Sequence, residues 1–431
     1  MRTLDPLVVD RDVPAAVGLV LDEVLGRRLE DAAAADPLFA ADLARRVAAF
    51  TLAGGRRRRS QLLWWAMRAC GGGAPESGAA LRAAAALELI QTCALIHDDV
   101  MDGSPLRRGR PSVHVAMDAQ YGTARRPRPY GTFGGSAAVL AGDLALAWAD
   151  DVFAEAVAAT AHAREAGRVW RHMRTEMVAG QYLDLHAQAT GSCSPGRALR
   201  TALLKTGLYS VAHPLVLGAT MAGAPPEWVR ALRGAGRCAG IAFQLRDDLR
   251  GAFGDPSVTG KPTGEDLREG KATYLVAVAR ARCARRGDGA GLRLLDEVVG
   301  SSNATEDELR RVRDVLVSSG ARDQVVARTE QLRRRAATVL DGAGLPAEAT
   351  ARVGRLLTDL CDPAVERTTG TESGTGSDAG SETGSDAGSA TGLDRGGEAG
   401  LDTGAGTRGA AHARSGLGSS PDAGVLIGGS R

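Results

Sequence analysis

The sequence predicts an all-α fold, a single-domain helical bundle of ten or more helices. Ala, Leu and Arg dominate residues 15–365, and the alternation of Val, Ile and Thr that is typical of strands is nearly absent. Apolar residues recur instead at spacings of three and four, as in residues 81–95. Breaks rich in Gly and Pro, such as residues 71–75, separate the helical segments. With 431 residues and 44% hydrophobic content, the chain can bury a sizeable core.

The composition changes after about Thr368. Residues 369–431 contain 18 glycines among 63 residues, and they lack Phe, Trp and Tyr. Such a segment cannot bury enough apolar surface to offset the entropy that is lost on ordering. We therefore expect a compact domain in residues 1–368 and a disordered, low-complexity tail rich in Gly, Ser, Thr and Asp in residues 369–431.

Charge and cysteine content exclude several classes of protein. The formal net charge is only +2, and the arginine runs are matched by acids and lack interleaved aromatic residues, so we expect no nucleic-acid partner. The cysteines include no CxxC pair, which fits neither a zinc site nor a small disulfide framework and favours a reduced compartment. Their positions are Cys70, Cys93, Cys193, Cys238, Cys283 and Cys361.

Two segments bear on membrane association. The N-terminus lacks the apolar core of a signal peptide. Residues 206–226 are uncharged and as long as a membrane span, but His213, Pro214 and several glycines interrupt them. We interpret this segment as a buried helix followed by a turn. The sequence therefore predicts a cytoplasmic protein without a transmembrane segment.

The strongest chemical signal is residues 95–102 (LIHDDVMD), at the end of a strongly helical segment. On a helix, Asp98 and Asp102 lie one turn apart on the same face, and two such carboxylates can hold Mg²⁺. Asp99 adds a third acid. Three acids directly after an apolar run repel one another unless a cation neutralises them.

A second acidic cluster, Asp247 and Asp248, follows the apolar run of residues 239–243. Gln244 lies three residues before Asp247, so both side chains can face one cavity. A single Asp pair is usually a solvated helix end, but two pairs, each at the polar end of an apolar helix, favour a metal site. Mg²⁺ usually completes its coordination with substrate phosphates, so these acids predict a phosphorylated ligand.

Basic segments supply cations for such a ligand. Residues 54–59 (GGRRRR) and 106–111 (LRRGRP) present arginines, whose planar guanidinium suits phosphate oxygens. Lys205 adds a further cation, and so does Lys261, which lies in a loop rich in Gly and Pro that suits a mobile lid. Taken separately, each is also explained by a basic surface patch, a nucleic-acid contact or a surface lysine. Together with the acids and the apolar helices, they predict a substrate with a diphosphate head and an apolar tail.

The order of these motifs resembles that of the trans-prenyl diphosphate synthases, geranylgeranyl diphosphate synthases in particular, over roughly residues 10–368. The similar elements are residues 54–59 (GGKRxR in the family), 98–102 (DDxxD), 107–109 (RRG), 180–184 (GQxxD), 205–206 (KT), 243–248 (second Asp-rich motif) and 254–261 (GDPxxTGK). The resemblance implies the isoprenoid synthase fold, a helical bundle around a central cavity. It also implies a prenyltransferase that condenses isopentenyl diphosphate with an allylic diphosphate (dimethylallyl, geranyl or farnesyl).

The resemblance further implies a role for each matching residue. The expected metal ligands, on about three Mg²⁺ ions, are Asp98, Asp102, Asp184, Asp247 and Asp248. The expected contacts to isopentenyl diphosphate are Arg56, Arg59, Gln91 and Arg108. The expected contacts to the allylic diphosphate are Arg107, Lys205 and Lys261. Gln244, also expected to bind substrate, would line the reacting centre together with Thr206. The residues expected to carry the chemistry are Asp98, Asp99, Asp102, Lys205, Thr206, Gln244, Asp247 and Lys261. A homodimer is expected by resemblance alone.

Two departures from the family pattern leave alternatives open. Arg56 stands where the family has Lys, which keeps the charge, but Gly251 stands where the second motif has its last Asp. The incomplete motif keeps open a non-catalytic or regulatory subunit. A class I terpene cyclase is the other alternative, although Gly251 and Asp255 replace the Ser and Glu that its second metal motif needs. The chain also has a single Asn, Asn303, far from either motif.

The residues one turn before the first motif bear on product length. An isoprene unit is close in length to one helical turn, about 5.4 Å, so this layer can form the floor under the growing tail. It consists of Cys93 and Ala94, whereas family members that stop at fifteen carbons tend to have bulky aromatics here. We expect a product of twenty carbons or more, geranylgeranyl diphosphate. Small residues are also common in helix packing, so a packing role remains the alternative.

Overall fold

The computed structural model describes residues 5–122, 131–191, 194–254 and 264–361 of the chain. Nearly all of them are helical, and the strands among them are Leu106–Arg107 and Arg110–Pro111, which pair antiparallel as a short hairpin, β1 and β2. The prediction of an all-α bundle with ten or more helices is therefore confirmed. The predicted domain boundary near Thr368, the predicted tail and Lys261 lie outside the described residues.

The first part of the bundle leads into and surrounds one long helix, α6. Its helices are α1 (Pro6–Arg11), α2 (Val13–Ala35), α3 (Pro37–Phe39) with a π-helical extension (Ala40–Ala44), α4 (Arg45–Leu52), α5 (Arg58–Ala69), α6 (Ala74–Met101), α7 (Val113–Tyr121), α8 (Phe133–Val157) and α9 (Ala163–Thr190).

The second part begins with α10 (Pro195–Ala202), which continues as a π-helix (Leu203–Ala212) and then as α11 (His213–Met221). The remaining helices are α12 (Pro226–Phe253), α13 (Glu265–Arg268), α14 (Tyr274–Arg286), α15 (Gly289–Val298), α16 (Glu306–Ser318), α17 (Ala321–Asp341) and α18 (Ala347–Cys361). A second apolar core lies among α5, α11, α12 and these later helices.

Helix α6 is buried on nearly every side because apolar residues cover all of its faces. Helix α8 packs closely along it, since a Cβ at Gly142 of α8 would lie only 2.8 Å from Cε1 of His97 on α6. By length and composition α6 could cross a membrane, but 72% of its most apolar stretch is buried within the protein, as in a core helix. Its last turn brings Asp98 and Asp99 to the end of this apolar column.

Two further close crossings position polar side chains. A Cβ at Gly180 of α9 would lie 2.6 Å from Cα of Lys205, so α9 meets the π-helix backbone to backbone. A Cβ at Gly240 of α12 would lie 2.5 Å from Cα of Gly207 on the same π-helix. The π-helix is therefore clamped between α9 and α12, with Lys205 and Thr206 on its first turn.

The uncharged segment of residues 206–226 is divided between the π-helix, α11 and a turn. Nearly every side chain from Gly207 to Met221 is buried, including His213 at 2% exposure. The prediction of a buried helix followed by a turn is confirmed.

Candidate active site

Twelve of the residues that sequence reasoning singled out line one cavity of about 760 Å³. They are Arg56, Arg59, Gln91, Asp98, Arg107, Arg108, Asp184, Lys205, Thr206, Gln244, Asp247 and Asp248. The cavity therefore brings together segments that lie as much as 190 residues apart in the sequence. Asp99, Asp102, Cys93 and Ala94 do not line it, and Lys261 lies outside the described residues.

The first acidic cluster closes the C-terminal end of α6. The backbone N–H of Asp102 donates to the carbonyl oxygen of Asp98, so Asp102 caps the helix. Asp99 is only 1% exposed and points away from the cavity, where its Oδ1 accepts hydrogen bonds from Nε (2.9 Å) and Nη2 of Arg107. Although burial opposes the charge on Arg107, these contacts with Asp99 raise its pKa. Asp99 thus holds the Arg107 guanidinium in place.

Asp98 belongs to an ion-pair network that joins α6, α9 and the π-helix. Nζ of Lys205 donates to Oδ1 of Asp98 at 3.1 Å and to Oδ2 of Asp184 at 2.7 Å. Burial favours the neutral acid at Asp98, but the ammonium of Lys205 outweighs it and holds the pKa of Asp98 below its usual range. Asp98 is therefore ionised and faces the cavity at neutral pH.

The second acidic cluster is organised by hydrogen bonds that run from the π-helix to α12. Oγ1 of Thr206 donates to Oε1 of Gln244 at 2.6 Å, and Nε2 of Gln244 donates to Oδ1 of Asp248 at 2.9 Å. The backbone N–H of Tyr274 donates to the other oxygen of Asp248 at 3.3 Å. Burial, followed by the charges of Asp247 and Asp266, raises the pKa of Asp248 to about 7.

Sequence reasoning missed Lys271, which lines the cavity beside the first acidic cluster. Its Nζ lies 2.6 Å from Oε2 of Glu269, 3.3 Å from Oδ1 of Asp266 and 3.4 Å from Oδ2 of Asp102. Burial opposes its charge, but these three carboxylates raise the pKa of Lys271. The sequence carries little signal for it, because Glu269-Gly270-Lys271 reads as an ordinary surface turn.

Arginines also line the cavity. Arg57, which precedes α5, and Arg108, in the hairpin turn, both have left-handed backbones, with φ of 47° and 54°. Such a conformation is uncommon for residues other than glycine and brings the guanidinium groups of residues 56–59 and 108 toward one place. Arg57 itself is held by Glu88, with Nη1 3.6 Å from Oε2.

Two of these cationic contacts are fixed by polar partners. Nη2 of Arg59 donates to Oγ of Ser210 at 2.7 Å, and its guanidinium lies 4.7 Å from the ring centroid of Tyr209. The hydroxyl of Tyr209 in turn donates to Oε1 of Gln91 at 2.9 Å. Nη1 of Arg108 donates to the carbonyl oxygen of Ala53 at 3.0 Å. The guanidinium groups of Arg59 and Arg108 are therefore held in position by the protein without a bound anion.

Arg58 is a second lining residue that sequence reasoning did not assign separately. Burial and then the charges of Arg56 and Arg246 lower its pKa to about 10. A guanidinium whose pKa is lowered by neighbouring guanidinium groups lies in a region of positive potential, which an anion would relieve.

The acidic side chains fit a divalent cation that binds together with an anion. Within the described ranges, no three Asp, Glu, His or Cys side chains converge as a ready-made metal centre. Yet the side chain of Asp102 is only 2% exposed, and neither of its oxygens accepts a hydrogen bond. A buried carboxylate whose oxygens accept no hydrogen bond keeps them available to cations, of which the ammonium of Lys271, 3.4 Å from Oδ2, is already one. Oxygen donors spread around a cavity suit Mg²⁺, which takes its remaining ligands from water and substrate phosphates.

The two predicted floor residues differ in burial. Cys93 is 3% exposed, and burial raises the pKa of its thiol to about 12. Its Sγ lies 3.7 Å from Nδ1 of His97, one turn further along α6. Ala94 is half-buried on the neighbouring face of the helix. Neither lines the polar cavity, so their predicted role in product length concerns the apolar region beyond it.

A family model described as polyprenyl synthetase matches residues 41–316 of the chain. The chain belongs to the polyprenyl synthetase family. The matched region holds every described residue that lines the cavity. The predicted family and the predicted enzyme class, a prenyltransferase, are confirmed.

Individual members of the polyprenyl synthetase family differ in the products that they are named for. A geranylfarnesyl diphosphate synthase of Aeropyrum pernix is 35% identical over 67% of this chain and 83% of its own. A (2E,6E)-farnesyl diphosphate synthase of Mycobacterium bovis is 34% identical over 57% of this chain and 62% of its own. The relatives therefore leave the product length of this chain open.

A solved structure is similar to this chain in fold. A geranylgeranyl pyrophosphate synthase from Corynebacterium glutamicum, complexed with isoprenyl diphosphate and magnesium, superposes with a TM-score of 0.73 at 35% identity. The match covers 80% of this chain and 98% of that one. A divalent metal and an isoprenyl diphosphate thus occur together in a polyprenyl synthetase of the same fold.

Proposed function

We propose that this protein condenses isopentenyl diphosphate with an allylic diphosphate to give a trans-polyprenyl diphosphate, with release of diphosphate. The observation that carries the proposal is that one cavity is lined both by acids from α6, α9 and α12, here called the acidic wall, and by guanidinium groups of residues 56–59 and 108, here called the arginine wall. A single diphosphate would need only one such set, whereas two diphosphates, one held through metal and one by arginines, use both.

The acidic wall is the proposed site of the allylic diphosphate. Asp98, Asp102 and Asp247 would hold Mg²⁺, about three ions by family resemblance, with Asp184 and Asp248 assisting. Bound Mg²⁺ would neutralise the negative charge that develops on the departing diphosphate. Lys205, Arg107 and Lys261 would contact the same group, and Lys271 adds a further ammonium in the described part of this wall. Asp99 keeps Arg107 oriented through its two hydrogen bonds.

The arginine wall is the proposed site of isopentenyl diphosphate. Arg56, Arg59, Arg108 and Gln91 would bind its phosphates, with Arg59 and Gln91 both fixed through Tyr209. Because the guanidinium groups are already oriented by protein contacts, less side-chain freedom is lost when the anion binds.

The chemistry requires positioning and charge stabilisation rather than a nucleophilic side chain. The C–O bond of the allylic substrate breaks and its electron pair leaves with diphosphate. The resulting allylic cation is attacked by the double bond of isopentenyl diphosphate, and a proton passes to the released diphosphate. Thr206 and Gln244, hydrogen-bonded to each other at 2.6 Å, would line the reacting centre, and exclusion of water protects the cation.

We propose geranylgeranyl diphosphate as the product. Cys93 and Ala94 are both small, so the layer one turn before the first motif would not stop the tail at fifteen carbons. Ile90 and Leu87, each fully buried, form the next layer of α6. Relatives named for farnesyl and geranylfarnesyl products bracket this length.

We also propose a cytoplasmic homodimer. Helix α8 exposes two consecutive apolar side chains, Val139 at 43% and Leu140 at 59%. Burial of these side chains against a second copy would remove apolar surface from water. Size-exclusion chromatography with light scattering tests this part independently of activity, because a monomer at micromolar concentration would contradict it.

The proposed function is tested by incubating the purified protein with Mg²⁺, labelled isopentenyl diphosphate and each allylic primer in turn. We expect acid-labile, elongated products that disappear when a chelator removes the metal. Chromatography of the hydrolysed alcohols then gives the chain length. Absence of any product with every primer would support the non-catalytic subunit, and a hydrocarbon would support the terpene cyclase.

A further inference from the structure

The second acidic motif lacks a carboxylate at position 251. Helix α12 continues to Phe253, so residue 251 lies one turn after Asp247 on the same face. Gly251 lines the cavity but has no side chain that could bind a ligand. An aspartate here would have given the acidic wall another pair of oxygen donors.

The space beside Gly251 is filled by a carboxylate from another segment. A Cβ built on Gly251 would lie 3.0 Å from Cγ of Asp266 and closer still to its Oδ2. Real Cβ atoms essentially never come so near, so the Asp266 carboxylate stands where a side chain at 251 would begin. Glycine at 251 is what allows it to approach.

Backbone contacts hold Asp266 in this position. The N–H of Gly264 donates to the carbonyl oxygen of Gly251 at 2.9 Å, which fastens the start of α13 onto α12. Gly264 has a φ of +82°, a left-handed conformation that lets the chain turn sharply into α13. The N–H of Lys271 donates to the carbonyl oxygen of Asp266 at 3.0 Å and closes the other end of the segment.

The Asp266 carboxylate faces the same cavity as Asp247 and Asp248. Its Oδ1 lies 3.3 Å from Nζ of Lys271, whose ammonium also reaches Asp102 of the first motif at 3.4 Å. The charge of Asp266 also acts on Asp248, because the pKa of Asp248 is raised chiefly by burial and then by the charges of Asp247 and Asp266. Asp266 is therefore electrically part of the acidic wall.

We propose that Asp266 supplies from α13 the carboxylate that the second motif lacks at Gly251, and that it helps to bind the metal–diphosphate complex. The inference rests on the proposed function, since it assumes that this wall binds a diphosphate with Mg²⁺. If Asp266 has this role, the carboxylate missing at position 251 is supplied from another helix and is not lost. The incomplete second motif is then no reason to expect an inactive subunit.

The test compares binding of inorganic pyrophosphate with and without Mg²⁺ by titration calorimetry. With Mg²⁺, Asp266→Asn is expected to bind pyrophosphate roughly tenfold more weakly or worse than the wild type, the usual effect of removing a group close to a metal. With chelator and no metal, the same variant is expected to bind at least as well as the wild type, because a negative charge near the anion has been removed. A loss of equal size in both conditions would overturn the proposal, since it would mean that Asp266 only positions Lys271.

Matched variants separate the two roles. Glu269→Gln removes another of the three carboxylates beside Lys271 but leaves the space at Gly251 filled, so its loss with Mg²⁺ is expected to be less than about threefold. Gly251→Ala displaces Asp266 without removing its charge and is expected to weaken binding with Mg²⁺ about as much as Asp266→Asn. A Gly251→Ala variant that binds like the wild type would overturn the proposal even if Asp266→Asn failed to fold.

A double variant that moves the carboxylate back to position 251 tests whether binding can be restored. Gly251→Asp combined with Asp266→Gly moves the carboxylate onto α12 and is expected to restore binding with Mg²⁺ to within about threefold of the wild type. If the wild type itself bound no pyrophosphate with Mg²⁺, the proposed function would fail. If the wild type bound it and Asp266→Asn bound it equally well, only the role of Asp266 would fail.

Discussion

Single residues in this cavity act in opposite-charge groups rather than alone. Each of two partly buried ammonium groups, those of Lys205 and Lys271, lies within 3.4 Å of two or more carboxylates. Sequence reasoning found Lys205, because a Lys-Thr pair followed other recognisable motifs. It missed Lys271, because a lone lysine in a Gly-containing turn carries no pattern. The contact between Lys271 and Asp102 depends on the tertiary structure, which brings together two segments that are distant in the sequence.

Replacing Lys271 by Gln should destabilise the metal-free protein. Three carboxylates within 3.4 Å would lose their shared cation, and Asp102 accepts no hydrogen bond from the described residues that could replace it. We expect the free energy of unfolding to fall by roughly 2 to 4 kcal/mol. Urea denaturation with chelator measures it. Adding Asp102→Asn should recover part of the loss, and additive effects of the two substitutions would contradict the coupling.

Asp248 makes stability depend on pH. Its pKa is about 7 in the folded metal-free protein, against about 3.8 when unfolded, so the folded state binds the proton more tightly. Wild-type stability should therefore decline, relative to Asp248→Asn, as pH rises from about 4 to about 7, and the difference should level off above that. Urea denaturation of both proteins at pH 5 and pH 8 with chelator gives the comparison. A difference in free energy of unfolding that is the same at both pH values would contradict this pKa.

Helices α9 and α12 are aligned with the π-helix at close crossings, where a glycine lets the backbones approach each other. At Gly180 and Gly240 the backbones of α9 and α12 touch the π-helix, which aligns Lys205 with Asp184 and Thr206 with Gln244. The helical periodicity predicted that these segments are helices. It could not predict the π-helical stretch of residues 203–212, because an extra residue per turn leaves the apolar pattern of a buried segment unchanged.

Gly180→Ala tests the crossing of α9 and the π-helix. Its Cβ would lie 2.6 Å from Cα of Lys205, and backbone cannot yield as a flexible side chain can. We expect a loss of roughly 2 kcal/mol or more in stability from this overpacking, together with weaker binding of pyrophosphate. Gly167→Ala is the control on the same helix, where the Cβ meets only the end of Arg171 at 3.5 Å. The control should gain about 0.5 to 1 kcal/mol, and equal effects of the two substitutions would refute the crossing.

The described residues form a helical bundle in which α6 runs from the apolar core to the polar cavity. The sequence predicted this class of fold and twelve of the residues that line the cavity, because periodicity and motif order are local signals. It could not predict that Asp99 faces Arg107 instead of the cavity, since neighbouring aspartates look alike in a motif. It also could not show that Asp266 fills the place at Gly251, which depends on how two distant segments dock.

The depth of the apolar region is expected to set the product length. Ala94→Phe should shorten the main product by one or more isoprene units, because an aromatic ring would fill the layer one turn, about 5.4 Å, before Asp98. Chromatography of the hydrolysed products measures it, with Ala94→Ser as a control that keeps a small side chain. Product lengths identical to those of the wild type would show that Ala94 is a packing residue and that the floor lies elsewhere.

The most direct test of the shared cavity is a crystal structure with Mn²⁺ in place of Mg²⁺ and a non-hydrolysable allylic diphosphate analogue. Mn²⁺ scatters anomalously, so its positions can be assigned without ambiguity. We expect manganese and the diphosphate between Asp98 and Asp102 on one side and Asp247 on the other, within the cavity that the arginines of residues 56–59 close. Metal and anion bound on separate surfaces, or metal held by only one of the two acidic clusters, would contradict the account.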